Sequence, residues 1–178
     1  MPLLPPIGAE IPCSMLAVNT PLQIRTSLLS LDFRGGIKHR VEVNPDDPDN
    51  SVRMRVVGFK LTADLPQGDG AGGRGAITIE QNDVDVDPKS LLRVVQQNPP
   101  KIESLMALYG FTMVIDQDGE PLVLTPRDDT GQLIATLPHY PPKADQYQLR
   151  RPIELVLPDD PETTIATIQK LPLKVGGL

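Results

Sequence analysis

Residues 37–61, IKHRVEVNPDDPDNSVRMRVVGFKL, contain two runs in which apolar and charged side chains alternate. Such alternation is typical of an extended strand, because successive side chains project to opposite faces. The apolar face consists of Ile37, His39, Val41 and Val43 in the first run and of Val52, Met54 and Val56 in the second. The connecting segment is rich in Asp and Pro, which favour turns. The stretch therefore predicts an antiparallel β-hairpin with one buried face and one charged face.

Strand patterns recur along the rest of the chain, separated by turn residues. They occupy residues 22–33, 76–83, 103–116, 121–125, 131–137, 147–157 and 163–175. Gly35-Gly36 is predicted to turn the chain, and residues 88–97 fit a short helix as well as a strand. We predict an all-β fold, an antiparallel β-sandwich of about eight or nine strands. Phase changes inside two strands indicate curvature, which leaves a closed β-barrel as the alternative.

The first 20 residues contain several prolines, which block helix formation and remove backbone donors. We expect residues 1–20 to form an extended Pro-rich arm and residues 21–178 to form a single domain. The start has no basic segment followed by an apolar helix, so a signal peptide is not expected. No stretch approaches the ~20 apolar residues of a membrane span. A cytoplasmic location without membrane association is the resulting expectation.

The composition restricts the classes of function. The net charge is −6 and the pI is about 4.9, which disfavours binding to nucleic acids, since these need a cationic surface. Cys13 is the sole cysteine, so no intrachain disulfide or thiolate metal cluster can form. The sequence contains no recognisable catalytic motif, and no catalytic residue is assigned.

Four cations share the charged face of the hairpin, and we call them the basic stripe. They are Lys38, Arg40, Arg53 and Arg55. Adjacent like charges on neighbouring strands are destabilising unless something compensates them. Glu42 supplies part of that compensation, and a face surrounded by solvent is the simplest interpretation of the rest. The alternative is a partner, either a phosphorylated ligand or, as the preferred form, the acidic loops of a second copy of this chain.

Acidic turns join three pairs of predicted strands. Their carboxylates are Asp46, Asp47, Asp49, Asp118, Glu120, Asp159, Asp160 and Glu162. If these turns met at one end of a sandwich, their oxygens would suit calcium, the one cofactor that the sequence suggests. Asp83, Asp85 and Asp87 alternate with Val84 and Val86 and are predicted to lie on the solvent side of a strand.

Three functions remain open at this point. The leading hypothesis is a non-enzymatic structural or interaction module that self-associates through its acidic and basic patches. The second is a small-molecule-binding or isomerase-type β-barrel, which a deep apolar cavity with His39, Tyr109 or Tyr147 pointing inward would favour. The third is a calcium-binding β-sandwich. His39 falls on the apolar face, where a buried neutral histidine held by hydrogen bonds is expected rather than a catalytic base.

Overall fold

A computed structural model shows an all-β protein. It describes residues 3–65, 75–81, 90–109, 111–117, 120–127 and 130–177. Within these residues thirteen strands form one antiparallel sheet. The strands are β1 (Glu10–Ile24), β2 (Ser27–Val43), β3 (Ser51–Asp64), β4 (Gly75–Gln81), β5 (Ser90–Gln97), β6 (Pro100–Tyr109), β7 (Phe111–Gln117), β8 (Glu120–Pro126), β9 (Thr130–Leu137), β10 (Asp145–Leu149), β11 (Ile153–Leu157), β12 (Asp160–Ile168) and β13 (Leu173–Gly177).

The order of the strands closes the sheet into two rings that share β1, β2 and β3. The sheet order is β12-β11-β8-β7-β4-β3-β2-β1-β13-β10-β9-β6-β5, with additional pairings of β12 to β1 and of β3 to β5. The first ring therefore consists of β1, β2, β3, β4, β7, β8, β11 and β12. The second ring consists of β1, β2, β3, β5, β6, β9, β10 and β13. Closure pairs the strand edges that an open sheet would expose.

The three shared strands are long because each serves both rings. They contain 15, 17 and 14 residues, respectively. Residues 13–16 of β1 pair with β13 in the second ring, and residues 22–24 pair with β12 in the first. Likewise, residues 51–54 of β3 pair with β5, and residues 60–64 pair with β4. Both β1 and β3 therefore change pairing partners midway along their length, from a strand of one ring to a strand of the other.

Gly35 and Gly36 lie within β2, so the predicted turn at this point is wrong. Gly35 pairs with Met15 on one side and with Leu61 on the other. A Cβ atom at Gly35 would lie 1.8 Å from the backbone oxygen of Lys60. The glycine therefore marks a close approach of two backbones inside a sheet rather than a reversal of the chain.

The two rings pack against each other through strands that are covered on both faces. Met106, Ala107 and Leu108 of β6 are consecutive and all buried, although alternate residues of a strand face opposite sides. Near the start of β9, a Cβ atom on Gly131 would lie 2.6 Å from the Ile153 side chain of β11. The second ring thus contacts the first without an intervening layer.

The structure changes several expectations from the sequence. Thirteen strands are present in the described part of the chain, in one sheet, where eight or nine in a sandwich were predicted. Residues 90–97 form strand β5, which removes the helical alternative there. Residues 10–20, assigned to an arm, form most of β1, and the buried Cys13 and Met15 belong to the core. No helix long and apolar enough to cross a bilayer is found among the described residues.

Candidate functional site

His39 is a buried polar residue on the inner face of the second ring. It lies on β2, paired with Ile11 of β1 and Val56 of β3, and only 3% of it is exposed. Among the described residues, neither Nδ1 nor Nε2 has a hydrogen-bond partner, so the hydrogen bonds expected from the sequence for this histidine are not found there. Burial lowers the pKa of His39 to about 4, so the imidazole is neutral at physiological pH. A neutral imidazole offers one donor and one acceptor, and here both are unused.

A second group of polar side chains faces the same interior. The hydroxyls of Tyr147 on β10 and Ser104 on β6 share a hydrogen bond of 2.6 Å. Cys13 on β1 adjoins Tyr140, on the β9–β10 connection. Burial raises the pKa of the Cys13 thiol and of both phenols. The thiol and the phenols therefore stay protonated at neutral pH.

The strand register brings His39 close to this group. Cys13 pairs directly with Ile37, which precedes His39 by two residues on the same face of β2. Diagonal neighbours of this kind are about 7–8 Å apart in an antiparallel sheet. We refer to His39, Cys13, Tyr140, Tyr147 and Ser104 as the polar cluster of the second ring.

The remaining lining of the second ring is adaptable. Met15, Met54 and Met106 are buried on β1, β3 and β6. Methionine is unbranched and repacks readily around irregular neighbours. Eight-stranded barrels are either filled by side chains or hold one small ligand. A lining of flexible thioethers and neutral polar groups is compatible with a ligand.

The first ring has a different interior. Its most buried side chains are Leu22, Leu61, Ile77, Met113, Leu124 and Leu155. The hydroxyl of the nearby buried Thr20 donates to the backbone oxygen of Ala17 at 3.2 Å. The first ring therefore has the composition of a structural core, whereas the second ring contains His39, which has no partner among the described residues; Nε2 of His139, on the β9–β10 connection, is the other buried nitrogen without one there.

The basic stripe is neutralised within the chain. Lys38 and Arg40 contact the Glu10 carboxylate at 3.1 and 2.7 Å, Arg53 contacts Asp46 at 3.2 Å, and Arg55 contacts Glu42. Hydrogen bonds from Arg40 and Lys38 lower the pKa of Glu10. Sequence reasoning assigned Glu42 correctly but missed Glu10, because that residue was placed in the arm. The compensation expected from a partner thus comes largely from β1.

Two of the three acidic turns lie at opposite ends of β2. The loop at residues 44–50 follows the end of β2, whereas the turn at residues 158–159 lies beyond the start of β2, where Arg25 N donates to Ile165 O at 2.8 Å. In the first loop, Asp46 faces Arg53 at 3.2 Å and Asp47 faces Arg93 at 3.8 Å.

Among the described residues, no three His, Cys, Asp or Glu side chains are arranged to hold a metal. Calcium binding stays a prediction. Asp118, the side chain of Glu120, the aspartates at 83, 85 and 87, and most of the glycine-rich segment at residues 65–75 lie outside the described residues.

Arg127 ties the acidic β11–β12 turn to β8. Its guanidinium donates to the backbone oxygens of Pro161 and Glu162 at 3.1 and 3.2 Å. It also donates to Thr164 Oγ1 at 2.6 Å and pairs with Glu154 at 2.8 Å. The turn at residues 158–162 is therefore held by side-chain hydrogen bonds in addition to its strand pairing.

A groove of about 580 Å³ runs along the outer face of β5, β6, β9 and β10. Its apolar lining includes Leu91, Leu105 and Ile134, and Ile134 is 44% exposed. Arg93 and Arg150 contribute cations to the lining and Glu103 contributes a carboxylate, and Arg93 also faces Asp47 at 3.8 Å. Sequence alternation gave no indication of this groove, because concavity depends on how four strands curve together.

Comparison with known proteins shows a structural similarity but no match in sequence. No protein family matches this chain, and no curated protein matches it in sequence. A solved structure, DynF from the dynemicin biosynthesis pathway of Micromonospora chersina, is similar with a TM-score of 0.72 and 16% sequence identity. The alignment covers 99% of this chain and 84% of that chain. At this identity the similarity shows the fold alone.

Proposed function

We propose that the protein is a non-enzymatic binding module that holds one small, mainly apolar molecule inside the second ring. The observation that carries the proposal is His39, whose two ring nitrogens are buried without a hydrogen-bond partner. A buried polar group left unpaired costs about 1–3 kcal/mol of stability. A ligand that accepts from, or donates to, the imidazole offsets that cost on binding, which couples ligand affinity to this residue.

The surroundings of His39 support the same function. The polar cluster provides neutral hydrogen-bonding groups, and the three methionines provide a deformable apolar wall. Ligand sites are typically apolar cavities with a small number of placed polar groups. The second ring has this composition and the first ring does not.

Titration with the fluorescent probe N-phenyl-1-naphthylamine tests the proposal. We expect saturable binding with one probe per chain, and a roughly tenfold weaker affinity in the His39→Leu variant, because one hydrogen bond is lost. Ile134→Ser in the outer groove is the matched control and is expected to bind the probe normally. Loss of binding in Ile134→Ser but not in His39→Leu would place the probe in the groove and overturn the proposal.

Self-association is the second candidate function, favoured by the outer groove. Its exposed Ile134 lies in a lining that includes Arg93 and Arg150, while the chain as a whole has a net charge of −6. Such a surface is complementary to an acidic segment of a second copy, such as the exposed turn at residues 158–160. We propose this copy as the occupant of the groove.

Light scattering over a concentration series tests self-association. We expect a dimer that weakens with added salt and is lost in Ile134→Glu, which places a carboxylate in the groove. Removal of residues 1–20 is unsuitable as a variant, because it deletes most of β1. A wild-type protein that stays monomeric at all concentrations and salt levels would refute this candidate.

A further inference from the structure

The polar groups inside the second ring are all uncharged at neutral pH. In the described part of this interior they are an imidazole, two phenols, a thiol and serine hydroxyls. Burial favours the uncharged form of each titratable member, lowering the pKa of His39 and raising those of Cys13, Tyr140 and Tyr147. The interior thus presents hydrogen-bond donors and acceptors without a formal charge.

The nearest cations on the same strands face the other way. Lys38 and Arg40 flank His39 in the sequence, but alternation along β2 sends them to the outer face, where both contact Glu10. Arg53 of β3 likewise contacts Asp46 outside the ring. These ion pairs hold the positive charges away from the polar cluster.

A buried anion needs a paired cation or several donors, because transfer of an ionised group out of water is far more costly than transfer of a neutral polar group. A neutral hydroxyl, carbonyl or secondary amine needs one hydrogen bond, and either nitrogen of His39 is available for it. The interior therefore distinguishes ligands by charge more strongly than by shape.

We infer that the second ring selects an uncharged ligand, an apolar molecule with one hydroxyl, carbonyl or secondary amine that hydrogen-bonds to His39, and excludes the corresponding anion. This inference rests on the proposed binding function and specifies its ligand class. His39 is the specificity residue, because it is the polar group of the cluster with both hydrogen-bonding positions unused.

Two matched probe pairs test the inference. N-phenyl-1-naphthylamine and 1-anilinonaphthalene-8-sulfonate share one aromatic framework and differ by a sulfonate, and 1-dodecanol and dodecanoate share one chain length and serve as competitors. We expect the neutral member of each pair to bind roughly 100-fold more tightly at neutral pH. His39→Gln keeps one donor and one acceptor and is expected to retain this preference, whereas His39→Leu weakens the neutral probes selectively.

The outcomes separate the two proposals. Equal or tighter binding of the anionic members would overturn the charge selectivity while leaving the binding function in place. Absence of saturable binding by all four molecules would overturn the binding function and the selectivity together. Unchanged affinity of the neutral probes in His39→Leu would remove His39 as the specificity residue and overturn the inference.

Discussion

Replacement of His39 by leucine is expected to stabilise the folded protein. The side chain is 3% exposed and both nitrogens lack partners, so the wild-type protein keeps a desolvated polar group without compensation. An apolar side chain of similar size removes that penalty, which is about 1–3 kcal/mol. For a chain of this length each kcal/mol raises the melting temperature by about 2–4 °C.

The stabilisation is expected to grow as the pH falls. The pKa of His39 is about 4 in the folded protein, below the value of 6.5 for an unperturbed histidine. Above pH 6.5 the imidazole is neutral in the folded and the unfolded protein, so its titration does not change the free energy of unfolding. Between these two pKa values acid protonates the unfolded chain first and destabilises the wild type, by about 2 kcal/mol at pH 5. His39→Leu lacks this loss.

Urea unfolding of both proteins at pH 7.5 and pH 5, followed by circular dichroism, measures the effect. The difference between the variant and the wild type isolates His39, because carboxylates titrate equally in both proteins. Val41→Ile is the control, since Val41 is buried two residues along the same face and does not titrate. The reasoning is refuted if His39→Leu is less stable than the wild type, or if the difference in unfolding free energy between the two proteins does not depend on pH. Either result would show that His39 is not a neutral histidine without a partner.

Other perturbations test the fold and the remaining surfaces. Gly35→Ala is expected to lose more than about 3 kcal/mol of stability in urea unfolding, because its Cβ would lie 1.8 Å from a backbone oxygen. Gly58→Ala is the control: its Cβ would meet nothing within 4 Å, so the free energy of unfolding should change by less than about 0.5 kcal/mol. Equal losses of stability at Gly35 and Gly58 would contradict the close approach of β2 and β3 at Gly35. Arg127→Ala removes the hydrogen bonds that hold the β11–β12 turn and should lower the free energy of unfolding by about 1–3 kcal/mol, with faster amide exchange in that turn. Arg34→Ala is the control: it breaks an exposed ion pair of 4.0 Å and should lower the free energy of unfolding by less than about 0.5 kcal/mol. Millimolar calcium is expected to leave the melting temperature unchanged, because carboxylates of the loop at residues 44–50 already face arginines; a rise that EDTA reverses would revive the calcium prediction.

Local alternation predicted the parts of the structure that depend on neighbours in the sequence. The β2–β3 hairpin formed with Val43 opposite Val52, and His39 and Val41 are buried as their positions indicated, whereas Val43, assigned to the same face, is 54% exposed. The identity of His39 as a buried neutral histidine also followed from its place on the apolar face. The lack of hydrogen-bond partners for His39 could not be predicted from the sequence, because such partners are supplied by other strands.

Features that depend on distant segments were missed. Glu10 compensates Lys38 and Arg40 across the β1–β2 pairing, about 30 positions away in the sequence. Cys13 and Tyr147 belong to the same ring only because β13 pairs with both β1 and β10. Gly35-Gly36 indicated a turn because sequence alone does not reveal that two strands approach closely enough to exclude a Cβ atom.

The sequence by itself determined that the chain is built from strands and that alternate side chains of a strand face inward, since a period of two is a local property of extended backbone. Tertiary structure alone decided that thirteen described strands close into two rings, that the first buries mainly apolar side chains, and that the second encloses an imidazole without a partner among the described residues. The physical reason is that ring closure is fixed by hydrogen bonds between segments far apart in the chain, such as β1 with β12 and β3 with β5, and no local pattern records which edges meet.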